Sequence, residues 1–186
     1  MDRPQPVLAT RRLLLRPFVV QDAPDVKRLA GHVDVAATTL HIPHPYPDGA
    51  AEDWIATHGP RWSEGTLCSY AIVDALEGFL IGSVALAIPA KDGRAELGYW
   101  IGKPYWGRGH ATEAARRLVR FGLDELGLVE IRARHMSRNP ASGRVLLKIG
   151  MSHQGRRAQE VEKGGTREDM EYYAIVRPAL GDSLLR

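Results

Sequence analysis

The chain has 186 residues, of which 44% are hydrophobic and 25% charged, with a formal net charge of +3. These are the proportions of one globular domain of ordinary size, and the interspersed acidic and basic residues give no footprint for a nucleic-acid partner. Cys68 is the only cysteine, which excludes an intrachain disulfide and a cysteine-based metal site. The longest uncharged stretch, Gly78 to Ala90, is too short and interrupted to span a bilayer. The N-terminus lacks the apolar core of a signal peptide, so the expectation is a cytoplasmic protein with no membrane partner.

In chain order, T-R-R-L-L-L-R-P-F at Thr10–Phe18 reads as a first strand closed by Pro17. Asp22 to Ala30 reads as a short helix with Asp22 as N-cap, Val26, Leu29 and Ala30 on one face, and Gly31 at its end. His32 to Tyr46 shows no periodicity. Asp48 is expected to cap a second helix carrying Ala51, Trp54, Ile55 and His58, ended by Gly59-Pro60. Strands follow at Leu67–Asp74 and Phe79–Ile88, joined by a turn at Ala75–Gly78. A second turn at Lys91–Arg94 leads into a third strand, in which Leu97, Tyr99 and Ile101 alternate with Glu96, Gly98 and Trp100.

Lys103-Pro104 stops that strand. Gly107-Arg108-Gly109 then opens a long helix, about Gly109 to Leu126, whose wide apolar stripe predicts a central position. Gly127 ends it, and Val129–His135 alternates as another strand. Strand, helix, strand in this order requires a right-handed crossover and a parallel pair. Asn139-Pro140 opens a short helix that stops before Gly150. A hairpin, Met151–Glu162 and Arg167–Val176, turns at Lys163–Thr166, and Leu180–Arg186 reads as a frayed end. The expectation is a single domain over residues 1–186, α+β in class, with a mixed, mostly antiparallel sheet and helices on both faces.

Chemistry points to the turn at Gly107–Gly109. A helix start leaves its first N–H groups unpaired, and glycines let an anion approach them, so the turn suits a pyrophosphate; a bare strand-to-helix connection remains the alternative. The crossover brings the Asn139 helix start to the same edge of the parallel pair, where α/β sheets bind ligands.

Y-W-G-R-G-H-A-T-E-A at Tyr105–Ala114 and N-P-A-S-G-R-V-L-L-K-I-G-M at Asn139–Met151 resemble the two cofactor motifs of the GNAT superfamily of acyl-CoA-dependent N-acyltransferases. The opening T-R-R-L-L-L-R-P-F and A-E-L-G-Y-W at Ala95–Trp100 resemble its ribosomal-protein N-terminal acetyltransferase branch, the Rim type. The resemblance covers about Thr10 to Val176. It implies a parallel pair splayed around acetyl-CoA, which serves as co-substrate, and no metal. It also implies a primary amine acceptor, either a protein N-terminus or a small molecule, and admits a homodimer.

On this resemblance the cofactor contacts fall on Trp100, Ile101, Trp106, Gly107, Arg108, Gly109, His110, Ala111 and Thr112, with Asn139 and Ser142 from the second motif. Trp106 stands where the family's Gln or Arg is usual. Arg108 reads equally as a cofactor contact or a solvated turn residue, and a helix cap alone would explain Asn139. Glu96 is the candidate base, since amide formation needs a neutral amine; a solvated or ion-paired strand carboxylate is the alternative. The family's usual tyrosine acid is missing, Leu147 standing about where it is often found, so Ser142 is the candidate hydrogen-bond partner of the sulfur. Oxyanion stabilisation is expected from a backbone N–H near Trp100–Ile101, freed by a bulge. His41, His44 and Tyr46 are expected to line the acceptor pocket. A metal site at His32, His41 and His44 is disfavoured for want of acidic or thiol partners. The non-catalytic alternative is an acyl-CoA-binding or protein-interaction module of the same fold.

Overall fold

The computed structural model describes residues 4–89 and 92–177. Its strands are β1 (Leu8–Ala9), β2 (Leu13–Arg16), β3 (Leu67–Asp74), β4 (Leu80–Ala87), β5 (Arg94–Ile101), β6 (Glu130–Met136), β7 (Ser152–Lys163) and β8 (Thr166–Val176). Its α-helices are α1 (Ala23–Ala30), α2 (Val33–Ala37), α3 (Ala50–Ala56), α4 (His58–Glu64), α5 (His110–Asp124) and α6 (Pro140–Lys148). The strands form one sheet in the order β1-β2-β3-β4-β5-β6-β8-β7. Every neighbouring pair is antiparallel except β5 and β6, which run parallel. The crossover and the mixed, mostly antiparallel sheet are as the sequence predicts.

Helices cover both faces because β3 and β4 are apolar on both. On one face the α5 stripe of Ala114, Ala115, Leu118 and Phe121 shares a core with Tyr70, Leu86, Leu97 and Ile131. That helix lies close against the sheet: a Cβ on Gly122 would sit 2.8 Å from Leu86 and 3.0 Å from Ile131. On the other face Val26 and Leu29 of α1 and Ile55 of α3 pack with Phe18, Ala71, Val73 and Leu80. Gly127 takes φ +72 just past α5, and the N–H of Leu128 returns to the carbonyl of Gly122 at 3.0 Å. This closing turn needs the left-handed conformation that glycine adopts freely.

Three local expectations are not realised, two of them because a carboxylate meets another partner. Asp22 does stand before α1, but its carboxylate caps nothing there. It accepts from both terminal guanidinium nitrogens of Arg16 at 2.7 Å and from the Val19 N–H at 2.9 Å. Asp48 does not cap α3, whose N-cap is Gly49 in the left-handed region; Asp48 pairs with Lys27 instead. Gly59-Pro60 does not end a helix but lies in the first turn of α4, where proline's missing N–H has no intrahelical acceptor to lose. The stretch without periodicity holds the single-turn helix α2, too short to show a period. Of the terminal segment read as frayed, Leu180–Arg186 lies outside the described residues, as does Lys91 in the second turn.

One contact ties the N-terminal segment to α5. Glu113, in the first turn of α5, accepts from the Thr10 hydroxyl (2.8 Å), the Arg12 N–H (2.9 Å) and the Arg12 Nε (2.7 Å). Burial alone would raise the Glu113 carboxyl, but the hydrogen bonds from Thr10 and Arg12 outweigh it and hold the group below its usual range. A carboxyl depressed by folding stabilises the native state above its unfolded pKa of about 4.3, and the contribution is lost as pH falls through the folded value. Glu113→Gln is expected to cost about 1.5–3 kcal/mol at pH 7, the range for hydrogen bonds to charged groups. The gap from wild type should narrow in acid, as read by denaturant melts at pH 7 and pH 3.5.

Candidate active site

Strands β5 and β6 are paired only over Arg94–Glu96 and Glu130–Arg132. Beyond Glu96, β5 continues its ladder with β4 to Ile101, and β6 continues with β8 to Met136. Their facing edges therefore part, and the opening belongs to a cleft of about 950 Å³. Helices α5 and α6 both start at this opening, one after each of the two strands.

The parting frees backbone donors without a bulge. The β4–β5 register is unbroken from Gly82↔Ile101 to Ala87↔Glu96, so the bulge expected near Trp100–Ile101 is absent. The ladder continues with the Gly102 N–H on the Ile81 carbonyl at 2.9 Å. Antiparallel alternation then turns the Trp100 and Gly98 N–H groups toward β4, and those of Tyr99 and Ile101 toward the opening. Gly98 also leaves space on its side-chain face, where an added Cβ would meet nothing within 4 Å.

The glycine turn meets the requirement for an anion site. Gly107 and Gly109 take φ +74 and +80, values that other residues reach only with strain. Gly109 is the α5 N-cap and no side chain caps that helix. Among the described residues, the N–H groups of His110, Ala111 and Thr112 have no acceptor, the first intrahelical bond being Glu113 to Gly109 at 3.0 Å. Gly107, Gly109, His110, Ala111 and Thr112 all border the cleft. The buried His110 is held below the usual imidazole range by desolvation and then by the charge of Arg12, so it adds no cation. The Trp106 indole lies at the cleft wall and donates to the Ile101 carbonyl at 2.6 Å, bracing the turn against the end of β5. Arg108 is exposed and is not on the cleft wall.

At the opposite side of the opening, Asn139 caps α6, its Oδ1 accepting the Ser142 N–H at 3.3 Å. The Ser142 hydroxyl lies 2.7 Å from the Tyr99 phenol, which also reaches the Ser142 carbonyl at 3.2 Å. This is the one direct hydrogen-bond bridge from the open part of β5 to α6 among the described residues. Desolvation pushes the Tyr99 phenol up to about 12, so it stays protonated at any physiological pH. The sequence pattern gives Tyr99 no more than a place in the alternation of Leu97 and Ile101; its partner lies 43 residues away, beyond any local signal. Glu96 borders the cleft where the strands part, with Oε1 accepting from Arg134 Nε at 3.0 Å. The ion-paired reading is thus realised on a residue that still faces the site.

The expected acceptor residues separate. Tyr46 and His41 border the cleft, Tyr46 half-buried and His41 at the exposed rim. His44 is exposed, off the cleft wall, with Nδ1 3.0 Å from the Gly31 carbonyl. The side chain of Trp100 lies on the opposite sheet face from that of Tyr99, among the α1–α3 residues, and borders the cleft from there. Among the described residues, no three His, Cys, Asp or Glu side chains gather as a metal site, and no helix is long and apolar enough to cross a membrane.

A groove between parting strands, with unpaired main-chain donors at one end and hydroxyls at the other, fits a group-transfer enzyme that holds a long carrier by its anionic end. Residues 12–152 match the model of the acetyltransferase (GNAT) domain. The chain belongs to this family and is an N-acetyltransferase. It is 32% identical over 174 residues to the uncharacterized N-acetyltransferase YoaA of Bacillus subtilis, covering 93% of this chain and 98% of that one. The fold is shared with the ribosomal-protein-S5-alanine acetyltransferase of Vibrio fischeri (TM-score 0.82, 18% identity, 92% and 96% of the two chains). It is shared equally with the spermidine N-acetyltransferase of Vibrio cholerae, solved with CoA and spermine (TM-score 0.77, 19% identity, 90% and 97%).

Helix α6 reaches this position because Gly143 has no side chain. A Cβ there would lie 2.8 Å from His135 Nε2 and 2.9 Å from the Tyr173 hydroxyl. Gly143→Ala is expected to cost about 1–3 kcal/mol through overpacking, a Tm loss of roughly 2–4 °C per kcal/mol in a chain of this size, readable by differential scanning calorimetry.

Proposed function

We propose that the enzyme transfers the acetyl group of acetyl-CoA to a primary amine by direct attack, without a covalent enzyme intermediate. The observation that carries the proposal is the row of unpartnered N–H groups at His110, Ala111 and Thr112, on the same cleft as Glu96, Tyr99 and Ser142. Main-chain donors at a helix N-terminus bind phosphate without help from a side chain, which accounts for a tryptophan at position 106. Acetyl-CoA supplies an activated acetyl thioester; the chain supplies position, proton transfer and charge stabilisation.

In this reading the α5 N–H groups with Gly107 and Gly109 hold the pyrophosphate, and Asn139 and Ser142 border the pantetheine end. The Ile101 N–H, turned into the opening, is the donor for charge developing on the carbonyl oxygen. Glu96 takes the proton of the incoming ammonium, directly or through a water, while Arg134 fixes the carboxylate through Oε1. The Tyr99 phenol and Ser142 hydroxyl, both protonated, supply hydrogen bonds to the departing sulfur, the part the missing tyrosine of α6 would play. A protein N-terminus and a small-molecule amine both satisfy this chemistry.

Saturating acetyl-CoA, at about a hundredfold excess over Kd, is expected to raise Tm by about 5–10 °C. Gly109→Asp should abolish the shift. Gly109→Asn, which meets the same left-handed backbone without the charge, should keep part of it. No shift for the wild-type chain would overturn the donor assignment. For the base, Glu96→Gln should lower kcat/KM by about 10²-fold, most severely at low pH where the amine is fully protonated, with acetyl-CoA affinity nearly unchanged. An unaltered pH–rate profile in Glu96→Gln would remove Glu96 from the mechanism.

A further inference from the structure

Five large side chains that pack against the α1–α3 core remain only partly buried: Ile42, Tyr46, Trp54, Trp100 and Tyr105. All five border the cleft; Ile42, Tyr46, Trp54 and Trp100 pack on the side away from α5, and Tyr105 touches the cores of both sides. They come from separate parts of the chain and are held in place. The Trp54 ring meets Phe18 and His58 edge-on, with centroids 5.0 and 4.4 Å away. Tyr105 stacks on Phe79 at 5.4 Å. Tyr46 sits so close to α1 that a Cβ on Gly31 would be 2.7 Å from its own. Fixed aromatic surface left open to a cleft suits an apolar ligand body.

The charges on the wall narrow the ligand further. Among the described lining residues, those of the α1–α3 side, from Val26 to Trp54 with Ser83 and Ala85 of β4, include no Asp, Glu, Lys or Arg. The hydroxyls of Thr38 and Thr39 there donate to carbonyls of α2. Glu96 is the single carboxylate on the whole described wall, and Arg134 already pairs with it. The fixed cations Arg144 and Lys148 stand on α6. An acceptor with a second or third ammonium would bury it here without a counter-charge, which burial strongly disfavours.

We infer that the acceptor is a monoamine borne on an apolar or aromatic body, the body filling the Trp54–Trp100–Tyr46 lobe and the amine reaching Glu96. This rests on the acetyl-transfer reading above. Polyamines and aminoglycosides are rejected by the lobe, although the fold is shared with a spermidine acetyltransferase. The α-amine of a peptide with an apolar first residue and a free arylalkylamine present the same chemistry.

The test is thiol release from acetyl-CoA by the full chain with phenethylamine, hexylamine, spermidine, kanamycin and two tripeptide amides beginning with Phe or Asp. Phenethylamine or the Phe peptide should exceed spermidine and kanamycin at least 100-fold in kcat/KM; whichever of the two is preferred identifies the source. Trp54→Ala should raise the preferred amine's KM at least tenfold and leave the acetyl-CoA Kd unchanged. His41→Glu, on an exposed rim side chain that bears no packing, should raise spermidine turnover at least tenfold. Spermidine or kanamycin acetylated as well as the apolar amines would overturn the inference and leave the transferase reading intact. So would acetyl-CoA binding with none of the apolar amines acetylated. Absence of acetyl-CoA binding together with absence of turnover would instead remove the transferase reading on which the inference rests.

Discussion

The separation of β5 from β6 is the constraint on which the rest of the site depends. Two parallel strands normally satisfy each other's backbone groups along their length. Here the pairing stops after Glu96 and Arg132, so β5 keeps one satisfied edge toward β4 and offers the other to a ligand. The unpaired donors are tolerable only at a place that water or a ligand reaches. The cleft is that place. It is held open from both sides: β6 is committed to β8 through Met136, and β5 to β4 through Gly102.

Several residues of the recurring motifs serve this geometry before they serve chemistry. Glu113, within the glycine-turn stretch, clamps Thr10 and Arg12, so the opening segment of the chain and the start of α5 form one unit. Trp106 braces the turn against the Ile101 carbonyl. Asn139 is a helix cap, satisfying the Ser142 N–H, and that cap sets Ser142 within reach of Tyr99. Gly143 admits α6 to the surface of His135 and Tyr173. The position of each potentially reactive group thus depends on a neighbour whose work is packing or capping, which is the usual requirement for a preorganised site.

The two halves of the cleft differ in physical character. Toward α5 and α6 it offers main-chain N–H groups, two hydroxyls and the cations Arg144 and Lys148. Toward α1–α3 it offers tryptophan, tyrosine and isoleucine surface without fixed charge. Strand β5 divides them by its own alternation, with Tyr99 on one face and Trp100 on the other. Glu96 stands at the root of the divide.

The sequence by itself determined the elements whose cause is local. Strand β3 runs Leu67–Asp74 as its apolar run predicts, α5 follows the 3.6-residue stripe from the glycine turn, and Asn139-Pro140 starts α6. The parallel pair followed from chain order, and the unpaired N–H groups at the start of α5 from glycines placed before a helix. The tertiary structure decided everything that required a competitor from elsewhere in the chain. Asp22 and Asp48 carry cap signals, yet the Asp22 carboxylate is taken by two hydrogen bonds from Arg16 in a buried setting, and Gly49 rather than Asp48 occupies the α3 N-cap position. Pro60 depended on where the helix began. Tyr99 stood only as one residue of an alternating strand, and Glu96 as either base or ion-pair partner, until the fold brought Ser142 to one and Arg134 to the other. Local pattern fixes which way a side chain points along its own strand; only the packed sheet and helices determine what it meets there.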